Sequence, residues 1–357
     1  MRPPPLLSLM GSPLSRCLIG AMAGLFLLGA PARAADVSLP PASGNAGYLG
    51  MSLPAGFRAF SELSPWNTPI LNPAEVDRSS KAMIGRLQRE ARTLRGAFGK
   101  WTVPVHVIDS TSCPRVKVRS ISGEKNRDID PDGDGIVEEV PIPPGVWADP
   151  SKDGHMVLVD PGVRKSWEFS HFGQDTNGGY VASGISIWDL EGLGFRLPFE
   201  GRLWWTYGSN GAGTPLIAGL IRPEEIEAGE IRHALMCATP INRKTSRPGG
   251  RLEVCPPASK TDGQQIGPDF IPEGARLQLD PALDLEQLNL SPAVMVVARA
   301  MQKYGLLVTD GARDFKVYFQ NLGPDGGAWQ HWKGLDDLNK IPIVSFRVLK
   351  CDIVEKK

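Results

Sequence analysis

From Gly96 onward the chain repeatedly places apolar side chains at every second position. Each run is cut short by proline, glycine or aspartate. "TVPVHVID", "RVKVRSI", "HMVLVD", "SWEFSHF", "YVASGISIWDL" and "GRLWWTYG" are such runs, followed by "IRHALMCA", "RLQL", "GLLVTD", "FKVYFQ" and "VSFRVL". A period of two puts alternate side chains on opposite faces, which is the signature of short strands. With 40 Gly and 32 Pro, the chain has turn formers enough to end each run. Three segments break the pattern with helical spacing. "SSKAMIGRLQREARTLRG" has Met83, Leu87 and Leu94 near helical intervals and Ser79 or Ser80 to cap it. "RPEEIEAGE" has an early Pro223, first-turn acids and Gly229 as a stop. "SPAVMVVARAMQKYG" has Ser291 as cap, Pro292 in the first turn, Lys303 at the end and Gly305 beyond. The expected fold is mainly β: a jelly-roll-like β-sandwich with about three packed helices. An α+β fold with two lobes is the alternative.

The N-terminus reads differently. Arg2 and Arg16 precede an apolar stretch, "CLIGAMAGLFLLGA", and "APARA" offers small residues at Ala32 and Ala34. This is a signal-peptide pattern over 1–34, too short in its apolar part to span a bilayer. A small and polar linker, 35–56, follows, and 57–357 is expected to form a single β-rich domain. Cleavage would remove Arg2, Arg16 and Arg33 and no acid, leaving a slightly acidic chain. That balance gives no sign of the basic face that nucleic-acid binding needs, and no nucleic-acid partner is expected. With no other apolar run long enough, no membrane association is expected after cleavage, and the chain is expected to be exported, periplasmic or secreted. Cys113, Cys237, Cys255 and Cys351 would then sit in an oxidising compartment, where up to two disulfides in any of three pairings are expected.

The most specific chemical signal is "RDIDPDGDGIVEE". Calcium needs six to eight oxygens, and a tight turn lets one segment supply most of them. One register takes Asp128, Asp130 and Asp132 as ligands, with Gly133 at the turn and Glu139 closing. A second takes Asp130, Asp132 and Asp134, with Gly135 at the turn and Val137 packed inward, and lacks the closing acid. Both stay open. The strand-like segment before it and "VPIPPG" after it exclude a helix–loop–helix sensor, so the expected role of calcium is structural.

H-E-x-x-H, G-x-S-x-G and phosphate-loop motifs are absent. What remains is a set of polar residues inside or at the ends of apolar strands: His155, Glu168, Asp189, His233 and Asp310. An acid or imidazole facing the inside of a sandwich needs a partner or a solvent-filled cleft. If several converge, they suit general acid–base chemistry, including the paired carboxylates of glycoside hydrolysis. Trp204, Trp205 and Tyr207 offer flat apolar faces suited to sugar rings.

The order "FSELSPWNTPI", "DGHMVLVDP", "WEF", "SGISIWDL", "GTPLIAGLIRPEEIEAGEIRHALMCATP", "EGARLQLDP", "VARAMQKYGLLVTDGARDF" and "IPIVSFRVL" resembles a family of secreted bacterial proteins linked to polysaccharide use. The resemblance covers about residues 57–350. It implies export and a link to polysaccharide use and carries no established reaction. Taken with the five polar positions above as acid–base groups, it leads to the expectation of an exported carbohydrate-active enzyme, a polysaccharide hydrolase or lyase, with a polysaccharide or glycan as partner. The alternative is a non-catalytic, calcium-stabilised glycan-binding or surface protein. Two departures stand out. Asp310-Gly311-Ala312 replaces an aspartate-asparagine-glycine turn, and "CPPASKTDG" stands where a histidine is common. The aspartate loop is an addition relative to a shorter proline-rich turn.

Overall fold

Two sheets with apolar residues on both faces organise the chain. The computed structural model describes residues 46–121, 130, 134–196 and 208–356. The first sheet orders its strands Tyr48–Gly50, Val105–Ile108, Met156–Asp160, Lys165–Ser170 and Gly184–Asp189. The second orders Phe346–Val348, Arg276–Leu279, Leu306–Gly311, Leu235–Thr239, Phe315–Tyr318 and Leu94–Ala97. Val105, Val107, Val157 and Val159 of the first sheet share one apolar core with Met236, Ala238 and Leu307 of the second. The two sheets therefore pack face to face.

The strand alternation is used on both sides. Leu235, Cys237, Leu306 and Val308 point the other way, into a core with helices α1 (Ser80–Ala91) and α3 (Pro292–Lys303). Met156, Leu158, Trp167 and Phe169 leave the first sheet on its far side and meet Val118, Val137 and Val140. Those belong to a smaller sheet ordered Ile136–Pro141, Arg115–Ser120, Tyr180–Ala182 and Gly173–Gln174. A layer of small sheet, two central sheets and helices results. Strands buried on both faces explain why so many runs read as nearly continuous apolar stretches.

The chain is mainly β, and its α-helices are α1, α3 and the short α2 (Pro223–Ala228) among the described residues. A jelly roll is antiparallel throughout, and these sheets are mixed. Val105–Ile108 runs parallel to Met156–Asp160, Leu235–Thr239 to Leu306–Gly311, and Phe315–Tyr318 to Leu94–Ala97. Helices on one face of a sheet bring the arrangement closer to the α+β alternative. Leu94 belongs to a strand and not to the first helix. Arg92 takes a positive φ (61°), and its N–H closes on the Gln88 carbonyl, so the helix stops at Ala91, three residues earlier. No helix among the described residues is long and apolar enough to cross a membrane. The signal-peptide segment lies outside the described residues.

The P-W-N-T motif is a structural knot. Trp66 is fully buried and donates its indole N–H to the Gly194 carbonyl at 3.0 Å. The Asn67 amide donates to the carbonyls of Ala59, Phe60 and Ser61. Of the cysteines, Cys255 and Cys351 are joined, while Cys113 and Cys237 are buried thiols. The bridge closes a loop across 96 positions and ties the C-terminal strand Val354–Lys356 to Leu252–Val254. Closing a loop of that size removes much of the unfolded chain's freedom. The Cys255→Ser, Cys351→Ser double variant is expected to lose about 2–5 kcal/mol of stability, measured by denaturant unfolding.

Candidate functional site

One end of the two central sheets opens into a cavity of about 290 Å³. The first sheet contributes Asp153 and His155 from the turn entering Met156–Asp160, and Ser170 with His171 from the end of Lys165–Ser170. It also contributes Ser183 and Gly184 at the start of the next strand. The second sheet contributes Asp310. A segment crossing between the sheets supplies Gly208, Ser209, Asn210 and Gly211, and Lys260 completes the lining.

Asp310 reaches this cavity through an irregularity. Leu306 and Val308 face the helices while Leu307 faces the first sheet, so strict alternation would send residue 310 toward the helices. The pairing with Leu235–Thr239 slips here: Val308 opposes Cys237, and Asp310 opposes Ala238. The bulge turns Asp310 to the side on which Ala238 packs, between the sheets.

Behind Asp310 stand two acids that the sequence reading did not single out. Asp262 lies within hydrogen-bonding reach of both Asp310 and Glu273. Glu273 is fully buried; its Oε1 accepts from the Asn242 amide at 2.8 Å and its Oε2 from the Asp262 N–H at 3.2 Å. A Cβ placed on Gly211 would lie 2.8 Å from Asp262 Oδ2 and 2.9 Å from Asp310 Oδ1. Only glycine lets the backbone approach both carboxyls. Burial, and then the charge of Asp262, push the carboxyls of Glu273 and Asp310 well above the usual range. Glu273 and Asp310 therefore keep their protons above the usual carboxylate range.

The opposite wall is imidazole. His155 is only 8% exposed, and its Nδ1 faces the Phe169 carbonyl at 3.3 Å. A carbonyl partner requires Nδ1 to donate, which leaves Nε2 as the lone-pair nitrogen. Burial lowers the proton affinity of this ring, opposed mainly by the charge of Asp153. His171 sits beside it with φ 51°, and its Nδ1 is 2.6 Å from Ser183 Oγ. Gly154 makes this closeness possible: a Cβ there would lie 3.0 Å from the His171 Cα.

The other expected residues lie elsewhere. Glu168 is buried between the sheets, behind the cavity. Its Oε2 and Oε1 accept the N–H groups of Leu216 and Ile217 at 2.7 and 3.1 Å, and its backbone carbonyl accepts the Ser209 hydroxyl at 3.1 Å. It anchors the crossing segment and does not face the cavity. Burial raises its carboxyl to about 7, against the two backbone N–H groups. Asp189 is exposed at the far end of Gly184–Asp189, where it accepts the Glu191 N–H in a turn. His233 is buried with Nε2 2.8 Å from Glu225 Oε1 and Nδ1 2.9 Å from the Ala234 carbonyl. The same Glu225 oxygen meets Arg222, so the G-L-I-R-P-E-E helix and the histidine form a structural ion cluster. Thus Asp310 and His155 come together, and Glu168, Asp189 and His233 do not join them. "DGH" at 153–155, "SHF" at 170–172 and "KTDG" at 260–263 carry the missing residues.

Trp204, Trp205 and Tyr207 lie outside the described residues, as do Asp128 and Asp132. Asp130 is buried and accepts the Gly135 N–H through Oδ2, while Asp134 Oδ1 accepts the Ile136 N–H. Glu139 is exposed at a bulge within Ile136–Pro141, with φ 56°. Among the described residues no group of three or more His, Cys, Asp or Glu is arranged to hold a metal ion. A larger groove of about 650 Å³ near Leu63, Ile70 and Pro257 is mostly apolar, and its one carboxyl, Glu75, is paired with Lys350. Comparison with protein-family models, curated proteins and solved structures finds no match.

The buried acids set a pH dependence. Glu168, Glu273 and Asp310 have folded values above their unfolded ones, so their contribution is complete below the unfolded value and is lost as pH rises. His106 and His155 act oppositely, but only below their unfolded value of 6.5. Above the imidazole range, from about pH 6.5 to 8, unfolding free energy is therefore expected to fall as the Glu168 carboxyl ionises near 7, by up to about 1.4 kcal/mol per pH unit for each acid still protonated. Denaturant titration across that range checks this, and Glu168→Gln should flatten the slope.

Proposed function

We propose that this chain is an exported carbohydrate-active enzyme that cleaves a polysaccharide by acid–base chemistry in the cavity between the sheets. The observation that carries the reading is the pairing of walls. One presents an imidazole with a free lone pair at Nε2, and the other presents a carboxyl cluster that holds protons. A base and an acid whose environments push their proton affinities in opposite directions are what proton transfer near neutral pH needs. His155 takes the base role, and Asp310 is the protonated hydrogen-bond donor that faces the substrate. The resemblance to exported proteins of polysaccharide use supports the substrate class, and the disulfide supports an oxidising compartment.

His155 must be neutral, so activity is lost as pH falls through its lowered value. Asp310 must be protonated, so activity is lost as pH rises through its raised value. A bell-shaped profile of kcat/KM is expected, with its acid limb below the ordinary imidazole range. Against a panel of acidic and neutral polysaccharides, His155→Ala is expected to lower kcat about 10²–10⁴-fold. Binding by the wild type with no product from any of them would establish the non-catalytic alternative.

We also propose that calcium holds the 128–139 loop as a structural strut. The aspartate spacing supports this, as do the burial of Asp130 and its acceptance of the Gly135 N–H. Removing calcium with a chelator is expected to lower Tm by several degrees, read by differential scanning calorimetry. An unchanged Tm would remove calcium from the account.

A further inference from the structure

We propose that the cavity receives a carboxylated sugar, a uronate unit, through Lys260 and the Asp310–Asp262 acid pair, and that the chain is broken by elimination and not by hydrolysis. The proposal rests on the acid–base reading above and names its substrate and reaction.

Three geometric facts carry it. First, the carboxyls are in contact. Glycoside hydrolases hold their two carboxyl groups about 5–9.5 Å apart, with the scissile bond between them. Asp310 and Asp262 lie within hydrogen-bonding reach of each other, with Gly211 packed against both. No glycosidic bond fits between them. Second, the cavity has a cation to meet an anion, and Asp153, the other acid in its lining, acts on the imidazole of His155. Lys260 lines it, with Nζ 3.4 Å from the Gly208 carbonyl, and Ser209 and Asn210 add polar groups. Acids that keep their protons donate to a substrate carboxylate and do not repel it, as a neutral carboxyl in an apolar site does for a developing oxyanion. Third, His155 is more than nine-tenths buried, lines the cavity and has no partner at Nε2 among the described residues. It is placed to remove a proton from carbon, which needs a neutral base shielded from water. Asp153, on the same turn, raises the proton affinity of that ring. A cavity of about 290 Å³ lies at the small end for ligands and accommodates about one sugar unit.

The step balances without a co-reactant. The substrate carboxylate accepts hydrogen bonds from Asp310 and an ion pair from Lys260, which acidifies the carbon beside it. His155 Nε2 takes that carbon's proton. The released electron pair forms a carbon–carbon double bond, and the adjoining carbon–oxygen bond to the next sugar breaks. The leaving oxygen takes the proton back from the imidazolium, and His155 returns to its neutral form. No water is consumed.

The experiment compares a 1,4-linked polyuronate with the same polymer after reduction of its carboxyl groups, using the full mature chain. Ultraviolet absorbance of the new double bond and reducing ends are read together. The polyuronate is expected to give both signals in equal amount, and the reduced polymer neither. Lys260→Met is expected to raise KM at least about tenfold with a smaller change in kcat. Asp310→Asn, neutral and still a donor, is expected to keep activity within about tenfold and to move the alkaline limb upward. Asp310→Ala is expected to lose about 10²-fold or more. Reducing ends without a double bond, from either polymer, would leave the acid–base reading standing and overturn this one. An Asp310→Asn variant as inactive as Asp310→Ala, with native Tm, would also overturn it, since a transferring acid cannot be replaced by an amide. Cleavage of no polysaccharide at all would end both readings.

Discussion

A single buried carboxyl group holds the two central sheets in relation to each other. Glu168 lies between them on the first sheet, and both of its oxygens accept backbone N–H groups from Leu216 and Ile217. These N–H groups belong to a segment that runs between the sheets, where no strand partner satisfies them. An unmet buried N–H costs about 1–3 kcal/mol, so the carboxyl answers a specific need. The same segment begins at Gly208–Gly211, which lines the cavity, and its Ala212 N–H bonds the Thr309 carbonyl beside Asp310. One side chain behind the cavity thus fixes the distance between its walls.

The cavity exists because the second sheet departs from regular pairing at one place. A regular strand would carry Asp310 to the helix side, where a carboxyl would face apolar neighbours. The bulge instead spends its irregularity on aiming one acid between the sheets. Glycines do related work elsewhere. Gly211 admits the backbone against two carboxyls, and Gly154 admits it against His171. Three such backbone features border the cavity: the bulge, His171 with its positive φ, and the close glycines.

Much of the β content was legible, because alternation depends only on which side chains are buried. Strand direction was not, since a run such as "LLVTD" reads alike in parallel and antiparallel pairs. The candidate residues divide on the same ground. His155, Asp189 and Asp310 are all polar positions at strand ends. Local sequence does not say which end of a sheet a strand end occupies, and Asp189 lies at the far end from the cavity. Glu168 and His233 were recognisable as polar groups in apolar strands. Whether such a group meets solvent or a backbone partner depends on elements distant in sequence. Asp262 and Lys260 were hidden in a segment with neither strand nor helix periodicity, and their partners stand at 273, 310 and 208.

The disulfide divides the cavity in a way its position alone does not suggest. Lys260, Asp262, Glu273 and Asp310 all fall between Cys255 and Cys351, inside one covalently closed loop. Asp153, His155, His171 and Ser183 all precede it. The proton-holding wall is therefore built on a cross-linked piece of chain, whereas the imidazole wall depends on sheet packing alone. Reduction of that one bond would act on the two walls unequally, giving the thiol chemistry of the surroundings a hold on the acid side before the base side feels it.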